Sequence, residues 1–235
     1  MKLIDAYPFL RENQGRTLGE LKTEYQQKFP EYLPYDMQIN KGGVGQFLEK
    51  LIGLDNTSAL TDFEDGELKT NKSDHSGKPL ETMFISQIAR AFDNLIDANL
   101  SFCDSWIYQK INNMLYVPIC KNGNTPDHWY IQSAYHIQLN NNPDLRQQLE
   151  ADFLAIRQQL IHHIQTAPDG FIHTANGEFI QIRSKDSKRP DGSYNPIFSQ
   201  TYNRYISNKN HAFYFKKKFM ESVQAAGLWQ VNRIV

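Results

Sequence analysis

Asp62, followed after four residues by Glu67-Leu68-Lys69, gathers two carboxylates and an amine within one short stretch. Side chains alternate along an extended strand, so Glu67 and Lys69 should project from one face. Hydrolysing a phosphodiester requires an activated water, neutralisation of charge in the transition state and help for the departing 3′ oxygen. Two carboxylates can hold Mg2+, a hard cation that prefers oxygen ligands and keeps several waters. A neighbouring lysine can orient or deprotonate the attacking water, or offset charge on the phosphate. Glu49 flanks an apolar helical stripe and is a further ligand or proton acceptor. The candidate catalytic residues are therefore Glu49, Asp62, Glu67 and Lys69, with Asp62, Glu67 and Glu49 as metal ligands. Alone the pattern is unspecific, because Asp followed by Glu-x-Lys commonly marks a solvated hairpin.

The elements that must position this set are legible in part. Thr17-Leu-Gly-Glu20 reads as a capping box opening a helix to about Phe29, which Pro30 and Pro34 end. After Lys41-Gly42-Gly43, the apolar Val44, Phe47, Leu48, Leu51 and Ile52 fall on one face of a second helix, with Gly53 at its stop. The segments Leu60 to Phe63 and Glu67 to Asn71 bracket Asp65-Gly66, a hairpin signal that predicts paired strands. Further strands are expected at Thr82 to Gln87, Met114 to Ile119, His128 to Ile137, Phe179 to Ile182 and Ala212 to Phe215. A long helix is expected from Pro143 to Gln165, with proline in its first turn. Met83, Phe84 and Ile85 read as buried strand residues. Ser184 to Asn195 is the most loop-like stretch, a candidate DNA clamp or an ordinary surface loop.

The class is α/β, with a mixed sheet. At 235 residues with 40% hydrophobic content the chain can build a real core. Its opening lacks a secretory pattern and no stretch is apolar enough to span a bilayer, so a cytoplasmic protein without membrane partners is expected. Cys103 and Cys120 are too few for a disulfide framework or a multi-cysteine zinc site. The formal charge of -1 hides an asymmetry: Gln181 to Lys218 carries nine Lys and Arg against two Asp, or 9 - 2 = +7. Separate cationic and carboxylate-rich regions suit an enzyme that grips phosphates and holds a metal, although a solvated basic face would look the same.

Several motifs occur in a fixed order. These are Thr17-Leu-Gly-Glu-Leu21, Lys41-Gly-Gly-Val-Gly-Gln-Phe-Leu-Glu49, Gly66-Glu-Leu-Lys-Thr70 and Gly77-Lys-Pro-Leu-Glu-Thr82. Ile107-Tyr-Gln-Lys110 leading to Leu115-Tyr-Val-Pro118, then Gly177 to Lys185 and Phe213-Tyr-Phe-Lys-Lys217, continue the series. Together they resemble the MutH-type endonuclease family over nearly the whole chain. The resemblance implies one 1–235 endonuclease domain with a restriction-endonuclease-like, PD-(D/E)xK fold: a central mixed sheet flanked by helices, and two lobes around a DNA cleft. It implies metal-dependent cleavage at a short palindrome, typically GATC. It assigns Glu49, Asp62, Glu67 and Lys69 to catalysis, places Lys110 near the scissile phosphate, and gives Lys41 a DNA-contacting place before the Glu49 helix. Arg183, Lys185 and Tyr214 match positions that read the site, with Lys216 beside them on DNA. The spacing from Asp62 to Glu67 is two residues shorter than in the family, which preserves strand parity. Asp55 and Asp65 are the alternatives to Asp62.

Two roles share this chemistry. His128-Trp-Tyr-Ile-Gln-Ser-Ala-Tyr-His-Ile-Gln-Leu139 with Asn142-Pro-Asp resembles the GATC-cutting restriction enzymes of the family more than MutH itself. That favours a type II restriction endonuclease acting on double-stranded DNA, with a companion methylase as protective counterpart and transient pairing of two copies. The alternative is a mismatch-repair nickase acting on the unmethylated strand of hemimethylated GATC. A non-catalytic DNA-binding module would explain the basic region but not the carboxylates. A histidine-based nuclease would rest on His162-His163, a pair without further ligands at useful spacing.

Overall fold

The computed structural model describes residues 1–30, 42–54 and 59–235; Lys41 and Asp55 lie outside them. In chain order these residues form α1 (Tyr7–Glu12), α2 (Leu18–Lys28), α3 (Gly43–Ile52), β1 (Glu67–Ser73), β2 (Met83–Gln87), α4 (Phe92–Ile96), α5 (Trp106–Ile111), β3 (Asn113–Cys120), β4 (Tyr130–Ile131) and β5 (Ala134–Gln138). There follow α6 (Pro143–Thr166), β6 (Ala175–Asn176), β7 (Ile180–Ser184), β8 (Ile197–Ser199), β9 (Arg204–Ser207), β10 (His211–Phe215), α7 (Lys217–Gln224) and β11 (Val231–Ile234). The α/β class is as expected. Among the described residues, no helix is long and apolar enough to cross a membrane.

Two compact units result, one built from Met1–Glu81, Lys110–Asn141 and Met220–Val235, the other from Thr82–Gln109 and Asn142–Phe219. The first unit holds a mixed sheet ordered β1-β3-β5-β11, with β4 paired to β3. β1 and β3 run parallel, in register Glu67↔Met114 through Ser73↔Cys120, while β3/β5 and β5/β11 are antiparallel. A parallel pair needs a long crossover, and here the intervening chain supplies part of the second unit. One sheet face packs Leu68, Leu115 and Val117 against Phe47 and Leu48 of α3 and Leu18 and Leu21 of α2.

Helix ends follow the sequence closely. Thr17 and Glu20 close a reciprocal capping box at α2, with Glu20 N donating to Thr17 Oγ1 at 3.2 Å and Thr17 N donating to Glu20 Oε2 at 2.8 Å. α3 is bounded by Gly42 and Gly53, at φ 101° and 88°, a region that disfavours residues with a Cβ. Within α3, a Cβ at Gly45 would lie 3.2 Å from Thr70 Oγ1, so this glycine permits the helix to approach β1 closely.

In the second unit, β2-β10-β7-β6 form an antiparallel sheet and β8-β9 a separate pair. α6 buries Leu145, Leu149, Phe153, Ile156, Leu160 and Ile164, spaced by three or four residues as one helical face requires. From the same helix the buried Asp152 accepts the backbone N–H groups of Glu178 at 2.7 Å, Phe179 at 2.6 Å and Ile180 at 3.0 Å. A Cβ on Gly177 would sit 2.4 Å from Asp152 Cγ, so the turn into β7 is built around this carboxylate. Asp152→Ala strands these donors and should cost about 3–5 kcal/mol. A thermal melt should show Tm lowered by about 10 °C, with unchanged Tm as the contrary result.

Three expectations need correction. Leu60 to Phe63 forms bends, not a strand, and β1 pairs with β3 instead of with that segment, so no hairpin carries Asp62 and Glu67. His128 to Ile137 is broken into β4 and β5, where Gln132 turns its side chain to the backbone of Asp74 and His75. Phe84 is half-buried, whereas Met83 and Ile85 are buried as expected.

Candidate active site

The first unit gathers Glu49, Asp62, Glu67, Lys69 and Lys110. Glu67 opens β1 and is only 2% exposed. Its Oε1 accepts from Lys69 Nζ at 2.5 Å and from Lys110 Nζ at 2.6 Å. Lys69 reaches it because residues two apart on β1 share a face. Lys110 reaches it from the last turn of α5, just before β3 begins alongside β1. Asp62 approaches from the preceding bend, where its Oδ2 accepts Leu68 N at 2.9 Å. Glu49 lies half-buried on α3.

Electrostatics binds the five into one cluster. Burial raises the carboxyl pKa of Asp62 above its ordinary value, and the charge on Glu67 raises it further, against the opposing pull of Lys69, the Leu68 N–H and Lys110. Glu49 is raised first by burial, then by Asp62 and Glu67, while Lys69 and Lys110 oppose the shift. With every group ionised the cluster carries -3 + 2 = -1. A divalent cation would make this +1, and one phosphodiester would then bring it to zero. Among the described residues Glu67 Oε2 is buried with no hydrogen-bond partner, an arrangement that costs free energy unless something satisfies it. An all-oxygen donor set with an orphaned carboxylate oxygen fits a hard divalent metal. The residues do not already form a cage, and no group of three or more His, Cys, Asp or Glu poised to hold a metal occurs among the described residues. Lys69 and Lys110 instead satisfy Glu67 Oε1.

Asp65 points elsewhere: its Oδ1 accepts Leu3 N at 2.8 Å. Gly66 sets where β1 starts. A Cβ there would lie 2.6 Å from Asn113 O and 2.8 Å from Leu3 Cδ1, so only glycine lets the chain enter β1 at this depth. In the sequence Gly66 reads as a hairpin-turn residue and Asn113 carries no signal, because their contact joins segments far apart in the chain.

The second unit carries Arg183, Lys185, Tyr214 and Lys216. Tyr214 pairs with Gln181 on β7 and with Phe84 on β2. Alternation puts Arg183 and Lys185 on the same face as Gln181. The Arg183 guanidinium lies 4.2 Å from the Tyr214 ring centroid and donates to Thr82 Oγ1 at 2.7 Å. Lys185 Nζ lies 3.2 Å from the Phe84 centroid, and the Phe84 and Tyr214 rings meet edge to face at 5.8 Å. Burial raises the Tyr214 hydroxyl pKa, and Arg183 opposes the shift. Lys216 stands apart from this layer, its Nζ donating to Gly177 O at 2.9 Å. The sequence reading missed Phe84 in this face, although period-two alternation with Met83 and Ile85 pointed outward. His162 and His163 belong to α6 and join none of these groups; burial, then His173 and His162, lower the His163 pKa.

Comparison with known proteins finds relatives of one kind. The family model described as DNA mismatch repair enzyme MutH matches residues 54–152, a span that includes Asp62, Glu67, Lys69 and Lys110. DNA mismatch repair protein MutH of Haemophilus ducreyi is 29% identical over 215 residues, covering 89% of this chain and 87% of that protein. The protein of the same name from Actinobacillus pleuropneumoniae serotype 5b is 26% identical over 216 residues, with the same shares covered. Among solved structures, a restriction endonuclease MvaI–cognate DNA complex aligns over 94% of this chain and 100% of that one at TM-score 0.42 and 13% identity, too slight a likeness to carry fold or function. The family match and the long alignments show that this chain is similar to DNA mismatch repair protein MutH over most of its length.

Proposed function

We propose that this protein is a Mg2+-dependent endonuclease that cuts double-stranded DNA at a short palindrome, with GATC as the first candidate. The observation that supports it best is the buried Glu67, held by Lys69 and Lys110 on one oxygen and unpartnered on the other, beside Asp62 and Glu49. When bound, magnesium supplies Lewis acidity and ordered water. Asp62 and Glu67 hold it, and Glu49 serves as third carboxylate or proton acceptor. Lys69 orients the attacking water, and Lys110 offsets charge on the phosphate oxygens.

Arg183, Lys185 and Tyr214 recognise the site in this reading, with Lys216 and Lys41 on the backbone. Arginine and lysine can donate to guanine acceptors in the major groove, and each well-formed contact discriminates by about 1–3 kcal/mol. Arg183→Ala should therefore weaken binding to a GATC duplex by about 10–100-fold, with little change on a scrambled duplex. Fluorescence anisotropy on the two duplexes checks this; equal weakening on both would make Arg183 a phosphate contact.

Two biological roles remain in play, each with its own support. Resemblance of the His128 to Asp144 region to GATC-cutting restriction enzymes favours type II restriction, with a companion methylase and transient pairing of two copies on DNA. The named relatives are mismatch-repair proteins, which favours a nickase of the unmethylated strand. The deciding experiment presents unmethylated, hemimethylated and fully adenine-methylated plasmids with magnesium and maps the ends. Double-strand breaks without a partner establish restriction; nicks confined to the unmethylated strand establish the repair role.

A further inference from the structure

Asp65, between the two acidic ligand candidates, is clamped from both sides. Asn113 Nδ2 donates to Asp65 O at 2.5 Å, and Leu3 N donates to Asp65 Oδ1 at 2.8 Å. The other side of the Asn113 amide faces β5, where its Oδ1 lies 2.6 Å from His136 Nε2. His136 Nδ1 in turn meets the Tyr7 hydroxyl. Donor chemistry fixes the direction of this chain. An amide donates only through nitrogen, so Asn113 Oδ1 must accept from His136 Nε2–H, leaving Nδ1 to accept the Tyr7 proton. The imidazole is 9% exposed, and its burial lowers its pKa, with Asp65 opposing the shift, a direction that favours the neutral form. The relay Tyr7→His136→Asn113→Asp65 ends on the bend that also closes through Phe63 N to Gly66 O at 2.9 Å and Leu68 N to Asp62 Oδ2.

From this geometry we infer that Asn113, oriented by His136, is a positioning residue for the metal-holding carboxylates: it ties the Asp62–Glu67 bend to the chain that delivers Lys110. Asn113 stands three residues beyond Lys110, and its amide bonds two residues before Glu67. This side chain thus adds a second tie, beside the β1–β3 pairing, between the lysine and the carboxylates. Asn113 bonds Asp65 O and His136, so Asn113 and His136 act through Asp62, Glu67 and Lys110, as outer-shell residues of metal sites do.

The inference rests on the endonuclease reading, and its test separates the two. Asn113→Asp preserves shape but places an oxygen against Asp65 O. In this variant Mn2+ affinity, titrated by calorimetry, should fall about 10–100-fold. The kcat should fall comparably while KM for duplex DNA stays unchanged. Amide exchange of residues 62–68, followed on the metal-free protein, should accelerate. His136→Gln retains a donor for Asn113 Oδ1 and should stay close to wild type, whereas His136→Phe should reproduce the Asn113→Asp losses. If Asn113→Asp does not fold, the His136 pair carries the same comparison. Wild-type exchange and Mn2+ affinity in Asn113→Asp, or in His136→Phe, would overturn the inference. A wild-type protein that binds no Mn2+ would overturn the endonuclease reading instead, with exchange in the metal-free variants still deciding the relay.

Discussion

Glu67→Gln should reduce magnesium-dependent cleavage by about 10³-fold or more while leaving the protein folded and still bound to duplex DNA. The magnitude follows from what this one side chain does. Glu67 is the shared acceptor of Lys69 and Lys110, and its Oε2, without a partner among the described residues, is the ligand atom in the proposed function. A neutral amide is a poor ligand for a hard cation, and losing one preorganised charge in a dry site commonly costs about 10²–10³ in rate before the displaced lysines are counted. Binding should not suffer, because the cluster changes from -3 + 2 = -1 to -2 + 2 = 0 and repels phosphate less. Plasmid cleavage and anisotropy measured together check both halves. Cleavage retained above about one part in a hundred would remove Glu67 from the chemistry.

Asp62→Asn should act in opposite directions on activity and on stability. Activity should fall by about 10²-fold or more through the lost ligand. The metal-free protein should nevertheless melt higher than wild type at neutral pH. Burial and Glu67 raise the Asp62 pKa in the folded state, so the folded protein holds that proton to higher pH than the unfolded chain. Stability contributed by Asp62 is therefore greatest below its unfolded pKa and falls as pH rises from there through the folded value. Asparagine carries no such penalty and can still accept Leu68 N. The advantage of the variant should vanish in the acid range and grow toward neutrality. Added magnesium should reverse the order, because metal bound to the native state stabilises wild type by mass action. Melts across pH in EDTA and in magnesium read all of this; a variant less stable than wild type at neutral pH in EDTA would show that Asp62 is not strained by its neighbours.

What could be read from the sequence depended on how local the responsible physics is. The Thr17 capping box, the glycines bounding α3 and the apolar face of α6 are decided within one or two helical turns, and each appears where expected. The same-face relation of Glu67 and Lys69 follows from strand geometry alone and also holds. The error at Asp65-Gly66 is instructive. That dipeptide signals a hairpin when glycine supplies positive φ, yet Gly66 is not in the left-handed region, and what requires glycine is the nearness of Asn113 O. The true partner of β1 is β3, a parallel strand reached only after a long excursion, and no local signal announces such pairing. Lys110 reaches Glu67 through the same non-local pairing, so its role came from family resemblance and its geometry only from the fold. Phe84 was misjudged because an aromatic residue in a strand more often fills a core, here overridden by its place on the same face as Tyr214.

The most direct test incubates supercoiled plasmid with the purified protein in magnesium and in EDTA, alongside Glu67→Gln. The account predicts open-circular or linear product with fixed ends only for the wild-type protein in magnesium. Cleavage that persists in EDTA or in Glu67→Gln, or intact plasmid under every condition, would contradict a metal-dependent endonuclease centred on Glu67.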